Sequence, residues 1–119
     1  MNLHPEPARS LPIVVTTDVV IAGGGPAGIA AAYAAAQAGA RVHLIETHGQ
    51  LGGIWTTGLL GWILDDANKP GVIRLLLDRL SQAGARQEKC SGGTAVDPEI
   101  LKLILEELLQ EVGVTIRLH

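Results

Sequence analysis

The spacing of apolar positions changes repeatedly along this chain, and each change marks an element. Residues 18–22, DVVIA, form a nearly unbroken apolar run, as a parallel strand buried on both faces requires. From Pro26 the chain turns alanine-rich up to Gly39, with strong helix propensity. Gly28, Ala32 and Ala35 fall on one face at i, i+4 and i+7, so a strip of small side chains lets this helix lie close to the strand before it. Gly39 suits the position just past a helix end, and residues 41–45 resume the alternation of a strand.

After Glu46 the periodicity is lost. Residues 47–71 form an excursion holding Gly49, Gly52, Gly53, Gly58, Gly61 and the Pro70-Gly71 breaker, and a loop of this length generally serves a function. Two amphipathic helices follow. Residues 72–82 put Ile73, Leu76, Leu77 and Leu80 on one stripe ending near Gly84; Asp97 as N-cap and Pro98 as first residue open the other, which runs to about Val112. Ile100, Leu101, Ile104, Leu105, Leu108 and Val112 form its buried side. Each buried Leu or Ile contributes roughly 1.5–3 kcal/mol, so this face calls for a covering sheet, and Lys102 with Glu106 reads as a solvated pair. Gly113 closes the helix, and residues 114–118 read as a third parallel strand.

Right-handed crossovers then give an α/β, Rossmann-like parallel sheet of spatial order 3-2-1. In that order the first strand is an edge, apolar on both faces through Val19, Val20 and Ile21, and such an edge is an aggregation hazard. Something should pair with it. The expectation is that residues 1–12 are a flexible leader and residues 13–119 the N-terminal part of a larger nucleotide-binding domain, completed by a further C-terminal segment. Self-association, or cover by a short strand at residues 13–15, is the alternative.

Composition narrows the partners. A net charge of −3 with Lys69, Lys89 and Lys102 scattered gives no basic cluster for a nucleic acid. Cys90 is the single cysteine, so no intrachain disulfide or redox cysteine pair can form. Pro5, Glu6 and Pro7 stand where a signal peptide needs its apolar core, and no apolar run approaches membrane-spanning length. A soluble, cytoplasmic protein with a small-molecule substrate is expected.

The chemistry concentrates at the first turn. Gly23, Gly25 and Gly28 spell G-x-G-x-x-G: the first permits the tight turn, the second lets backbone N–H groups approach a pyrophosphate, and the third lets helix and strand pack closely. The anion would rest on the helix N-terminus around Pro26 and Ala27. Glu46, about 20 residues further on, can accept hydrogen bonds from both ribose hydroxyls of an adenosine. Three spaced glycines are weak evidence in a chain with 15 of them; the strand, helix and acid around them give the motif its weight. FAD is the first cofactor expectation. NADP is disfavoured because Thr47, His48, Gly49 and Gln50 follow Glu46 where an arginine would meet the 2′-phosphate, while NAD stays open on the motif alone.

DVVIAGGGPAGIAAA, IETHGQLGGIWTTGLLG and VDPEILKLILEELLQEVGVTI together resemble the N-terminal part of the FAD-dependent oxidoreductase family with a glutathione-reductase-type nucleotide domain, from Leu11 onward. The resemblance implies that Gly52, Gly53 and Thr57, in the segment with Leu51 and Gly58, run beside the FAD pyrophosphate and ribityl chain. The part of the family that completes the FAD site and builds the substrate domain has no counterpart in the sequence, so no catalytic residue is named.

Other chemistry-bearing residues read more simply. His48 lies at the adenosine end, and His4, His43 and His119 share no metal-ligand spacing with it or with Cys90, so no metal is expected. Asp65 and Asp66 read as a solvated turn, Cys90 as a loop residue, and residues 91–94 as a flexible connection. Trp55 and Trp62 offer apolar surface along a cofactor or anchor the loop in a core without Phe. Three functions remain: the FAD-binding portion of an oxidoreductase moving hydride or electrons between an organic substrate and flavin, a non-catalytic dinucleotide-binding module or truncated product, and a fragment of an NAD-dependent dehydrogenase.

Overall fold

The structure, a computed structural model, describes residues 8–90 and 92–119. Its α/β framework is a three-stranded parallel sheet in which β2 (Val42–Glu46) lies between β1 (Val19–Ala22) and β6 (Thr115–Leu118). Val20 stands beside His43 and His43 beside Thr115, which fixes the register. This is the expected 3-2-1 order, with β1 at the edge.

Two of the three helices cover one face of that sheet, and the third packs on those two. In α1 (Pro26–Gln37), Ile29 and Ala32 are buried, and a Cβ on Gly28 would collide with the Gly23 carbonyl oxygen, so the small-residue strip does hold helix and strand together. Asp97 caps α3 (Pro98–Glu111), its Oδ1 accepting from the Glu99 amide at 2.8 Å and the Ile100 amide at 3.3 Å. Leu101, Leu105, Leu108 and Leu109 of α3 are fully buried, against β6 and also against α1 and α2 (Val72–Gln82). Helix neighbours therefore share the cover that a sheet was expected to give alone, which is why Leu109 is buried while Ile100 and Val112 sit at the margin. Arg79 of α2 donates to both carboxylate oxygens of Glu111, at 2.7 and 2.5 Å, joining the two helices. Lys102 pairs with Glu99 at 2.7 Å, where a pair with Glu106 was expected, because Glu99 occupies the adjoining i−3 position.

Two further expectations are corrected. The excursion and the 91–94 connection contribute to a second, antiparallel sheet in which β5 (Gly93–Val96) lies between β3 (Trp62–Leu64) and β4 (Arg86–Cys90). Cys90 thus ends a strand and Gly93-Thr94 begin another; Ser91 lies outside the described residues. Ile63 and Val96 bring this sheet into the same core as the parallel one, with Ala85 just before β4. Asp65 is exposed and pairs with Lys69, but Asp66 accepts a hydrogen bond from the buried Thr94 hydroxyl, so only half of the expected acidic turn is solvated.

The second correction concerns β1. Its Val19 and Ile21 pack toward the helices, yet on the opposite face Val20 is 56% exposed and Ile45 of β2 39% exposed, although His43 beside Val20 is buried, so that face is only partly covered. Residues 13–15 form no strand, and Ile13 is 86% exposed, so they do not extend the sheet. The expected leader falls largely on residues 1–7, outside the described residues. No helix among the described residues is long and apolar enough to cross a membrane.

Candidate dinucleotide site

The turn between β1 and α1 begins where the Gly23 amide donates to the Ile45 carbonyl at 2.8 Å, tying the end of one strand to its neighbour. Gly23 adopts a φ of +105°, a left-handed conformation that glycine accepts without strain, and the chain reverses into α1. Pro26 takes the first helical position, where a missing N–H loses nothing. No side chain caps this helix, so the Ala27 and Gly28 amides, which lack intrahelical acceptors by position, point out of its first turn with the positive end of the helix dipole.

Gly25 carries the sharpest information. Its φ of −74° and ψ of 179° are open to any residue, and a Cβ there would meet no protein atom within 4 Å. Neither backbone conformation nor internal packing asks for glycine at this position. A group outside the chain that must come close to the main chain does ask for it, and a diphosphate seated on the Gly25, Ala27 and Gly28 amides is such a group.

Glu46 ends β2 beside this turn. Its Oε2 accepts from the Gly24 amide at 2.6 Å, and its Oε1 from the His48 amide at 2.9 Å, His48 Nδ1 at 2.8 Å and the Thr47 hydroxyl at 3.1 Å. The His48 amide above all, with those of Gly24, the His48 ring and Thr47, holds the carboxyl at about 2, below its usual 4.5 and against the upward push of burial. The side chain is buried and ionised, a fixed acceptor at the strand tip. Strand tip and amide turn thus face one another.

The glycine segment after β2 closes over the same turn. The Gly52 amide donates to the Gly24 carbonyl at 2.8 Å, and a Cβ on Gly53 would come within 3.0 Å of the Gly25 Cα, so Gly52 and Gly53 border the cradle. Thr57 is exposed, its hydroxyl accepting from the Gln50 amide group at 3.0 Å. The threonine that fixes the loop is its neighbour Thr56, fully buried and donating to the Leu51 carbonyl at 2.5 Å, and sequence reasoning passed over it. Gly24 was passed over too, although a Cβ there would meet Leu51 Cδ2 at 2.6 Å. The run of three glycines, one more than the motif needs, was the available signal.

Trp55 lies in a one-turn 3-10 helix (Gly53–Trp55) and packs against the core, lining with Pro26, Ile29, Val72 and Leu105 an apolar cavity of about 60 Å³. Trp62 starts β3, its indole nitrogen against Gly93. Both are anchored in protein. Among the described residues, no three or more His, Cys, Asp or Glu side chains gather to hold a metal.

The sequence profile described as FAD dependent oxidoreductase matches residues 18–119. Over 43 residues the chain is 49% identical to the thiamine thiazole synthase of Aeropyrum pernix, a stretch covering 35% of this chain and 16% of that protein. Its fold is similar to that of THI4 from Thermovibrio ammonificans, with a TM-score of 0.61 and 25% identity over 86% of this chain and 38% of that one. Thioredoxin reductase of Lactococcus lactis is also similar, with a TM-score of 0.50 and 28% identity over 87% of this chain and 25% of that one. The chain therefore spans well under half the length of these relatives.

Proposed function

Since the chain belongs to the FAD-dependent oxidoreductase family, whose cofactor is FAD, we propose that its first turn holds the adenosine diphosphate half of that cofactor in a flavoenzyme. The family sets aside the NAD-dependent reading. In this proposal the amides of Gly25, Ala27 and Gly28 bind the diphosphate, Gly23 and Pro26 shape the turn, and Glu46 orients the adenosine ribose. Gly52 and Gly53 hold the following loop close against the turn, where a Cβ would strike Thr56 and Gly25, so that the chain of the cofactor continues along this loop with Thr57 on its exposed side. Bound FAD would supply hydride and electron transfer with an organic substrate; this chain supplies position and a fixed negative charge. The lack of a basic cluster and the single cysteine favour a small-molecule substrate and a cytoplasmic setting.

One observation carries the reading: the unhindered, conformationally ordinary Gly25 beside amides with no intrahelical acceptor. Replacing Gly25 by Val puts a branched side chain where the diphosphate must lie, and FAD affinity should fall by at least about 100-fold while the variant stays folded. Fluorescence titration with FAD, alongside circular dichroism, measures both; unchanged affinity in a folded variant rejects the site.

A further inference from the structure

We infer that the His48 imidazole is a latch on Glu46, occupying in the unliganded protein a carboxylate oxygen that an adenosine ribose hydroxyl takes when the dinucleotide binds. The inference rests on the nucleotide reading above. It begins with acceptor capacity: an ionised carboxylate offers about four hydrogen-bonding positions, two on each oxygen. Oε2 of Glu46 accepts from the Gly24 amide and keeps one position open. Oε1 already faces three donors, the Thr47 hydroxyl, the His48 amide and His48 Nδ1. A ribose diol that engages both oxygens finds room on Oε2 alone.

Something on Oε1 has to leave, and the three donors differ in freedom. The His48 amide is main chain in the turn after β2 and moves only with that turn. On the far side of the turn, His119 backs it, its ring 3.1–3.2 Å from where a Cβ on Gly49 would stand. The Thr47 hydroxyl makes the longest contact, 3.1 Å, from a short side chain that screens little. The imidazole makes the shortest, 2.8 Å, and its side chain is 58% exposed while that of Glu46 is 8% exposed. Bonded to the carboxylate yet largely exposed, it can swing outward about its own side-chain bonds. An ionised carboxylate only accepts, so Nδ1 carries the proton in this contact.

The latch has a consequence opposite to that of an ordinary contact residue. Removing a competitor tightens binding. Flavin-free protein and its His48→Ala variant are titrated with ADP, which carries the ribose and diphosphate without the flavin. The variant should bind ADP roughly threefold tighter, the size of an exposed charge-assisted contact. 2′,3′-Dideoxy-ADP, with no hydroxyl to compete, should gain nothing. Equal or weaker ADP binding by the variant, or an equal gain for the dideoxy analogue, overturns the latch. In the wild type, nitrogen-15 spectra of the imidazole should show the Nδ1–H contact in the free protein and its loss at ADP saturation; persistence of the contact overturns the proposal whatever the variant does. ADP binding by neither protein removes the nucleotide site and the latch together, which separates that failure from a failure of the latch alone.

Discussion

Glycines in the two sheets stand in opposite surroundings. In the antiparallel sheet, a Cβ on Gly93 would collide with the Ile63 carbonyl oxygen and come within 2.5 Å of the Trp62 indole nitrogen. Next to the parallel sheet, Gly28 is equally hemmed in by the Gly23 carbonyl, yet a Cβ on Gly25, three residues earlier on the same turn, would meet nothing within 4 Å. A glycine squeezed by its own protein is explained by folding. One that neither packing nor backbone torsion requires has no explanation within the fold, and on the proposed reading this distinction separates the cofactor-facing glycine of the motif from its structural partner.

The largest effects should come from the crowded positions. Gly28→Ala and Gly93→Ala each force a methyl group onto a backbone carbonyl, which cannot swing aside as a side-chain end can, and should destabilise the fold by about 3 kcal/mol. Urea unfolding measures this, and a loss below about 0.5 kcal/mol at either site would show that the backbone yields. Gly25→Val should do the reverse, leaving the urea midpoint nearly unchanged while FAD binding is lost. If Gly25→Val unfolded the protein as Gly28→Ala does, the contrast between the two glycines would collapse.

The same contrast governs what the sequence revealed. The parallel half was legible because its constraints are local: an apolar run, a turn that opens on a left-handed glycine, a helix of small residues, and an Asp-Pro pair that starts α3. The β3-β5-β4 sheet was not. β4 reads RQEKC, with no apolar alternation, and β3 has only three residues, so its pairing with β5 is set by contacts far along the chain. The Ser91-Gly92 step between two short segments was a hairpin signal, and it went unused. The cradle followed from spacing, but the four donors on Glu46 did not, since Gly24 and Thr47 enter through geometry alone. The exposure of Val20 was equally hidden, because an apolar run does not say which neighbours cover it.

Glu46→Gln tests the charge beside the cradle and should act less strongly than filling it. The amide keeps the shape but loses the anionic acceptor, so FAD affinity should fall about tenfold, the scale of a charge-assisted hydrogen bond. FMN, which has no adenosine ribose, should bind both proteins alike. Acid stability gives a second readout. The folded carboxyl sits at about 2 and the free one at 4.5, so its contribution is complete above pH 4.5 and is lost as pH falls toward 2. Urea midpoints of wild type and variant should therefore differ at neutral pH and converge across that window; a constant difference would assign the effect to shape.

The smallest effect is expected at the opposite end of the same sheet. Asp18 is also held at about 2, by the Arg41 guanidinium first and the Arg41 amide second. Arg41 Nη2 and Nε reach its two oxygens at 2.8 and 3.0 Å. By direction alone the two acids look alike: both are depressed, and both lose their contribution as pH falls. Their surroundings differ. The Asp18 side chain is 46% exposed and that of Arg41 70%, so water and salt screen the attraction, and holding the long arginine in place costs side-chain entropy. Asp18→Asn should leave nucleotide affinity unchanged and lower the urea midpoint less than Glu46→Gln, by an amount that shrinks further in high salt. A larger loss at Asp18 would mean that anchoring the start of β1 matters more to the fold than the buried carboxylate at the end of β2.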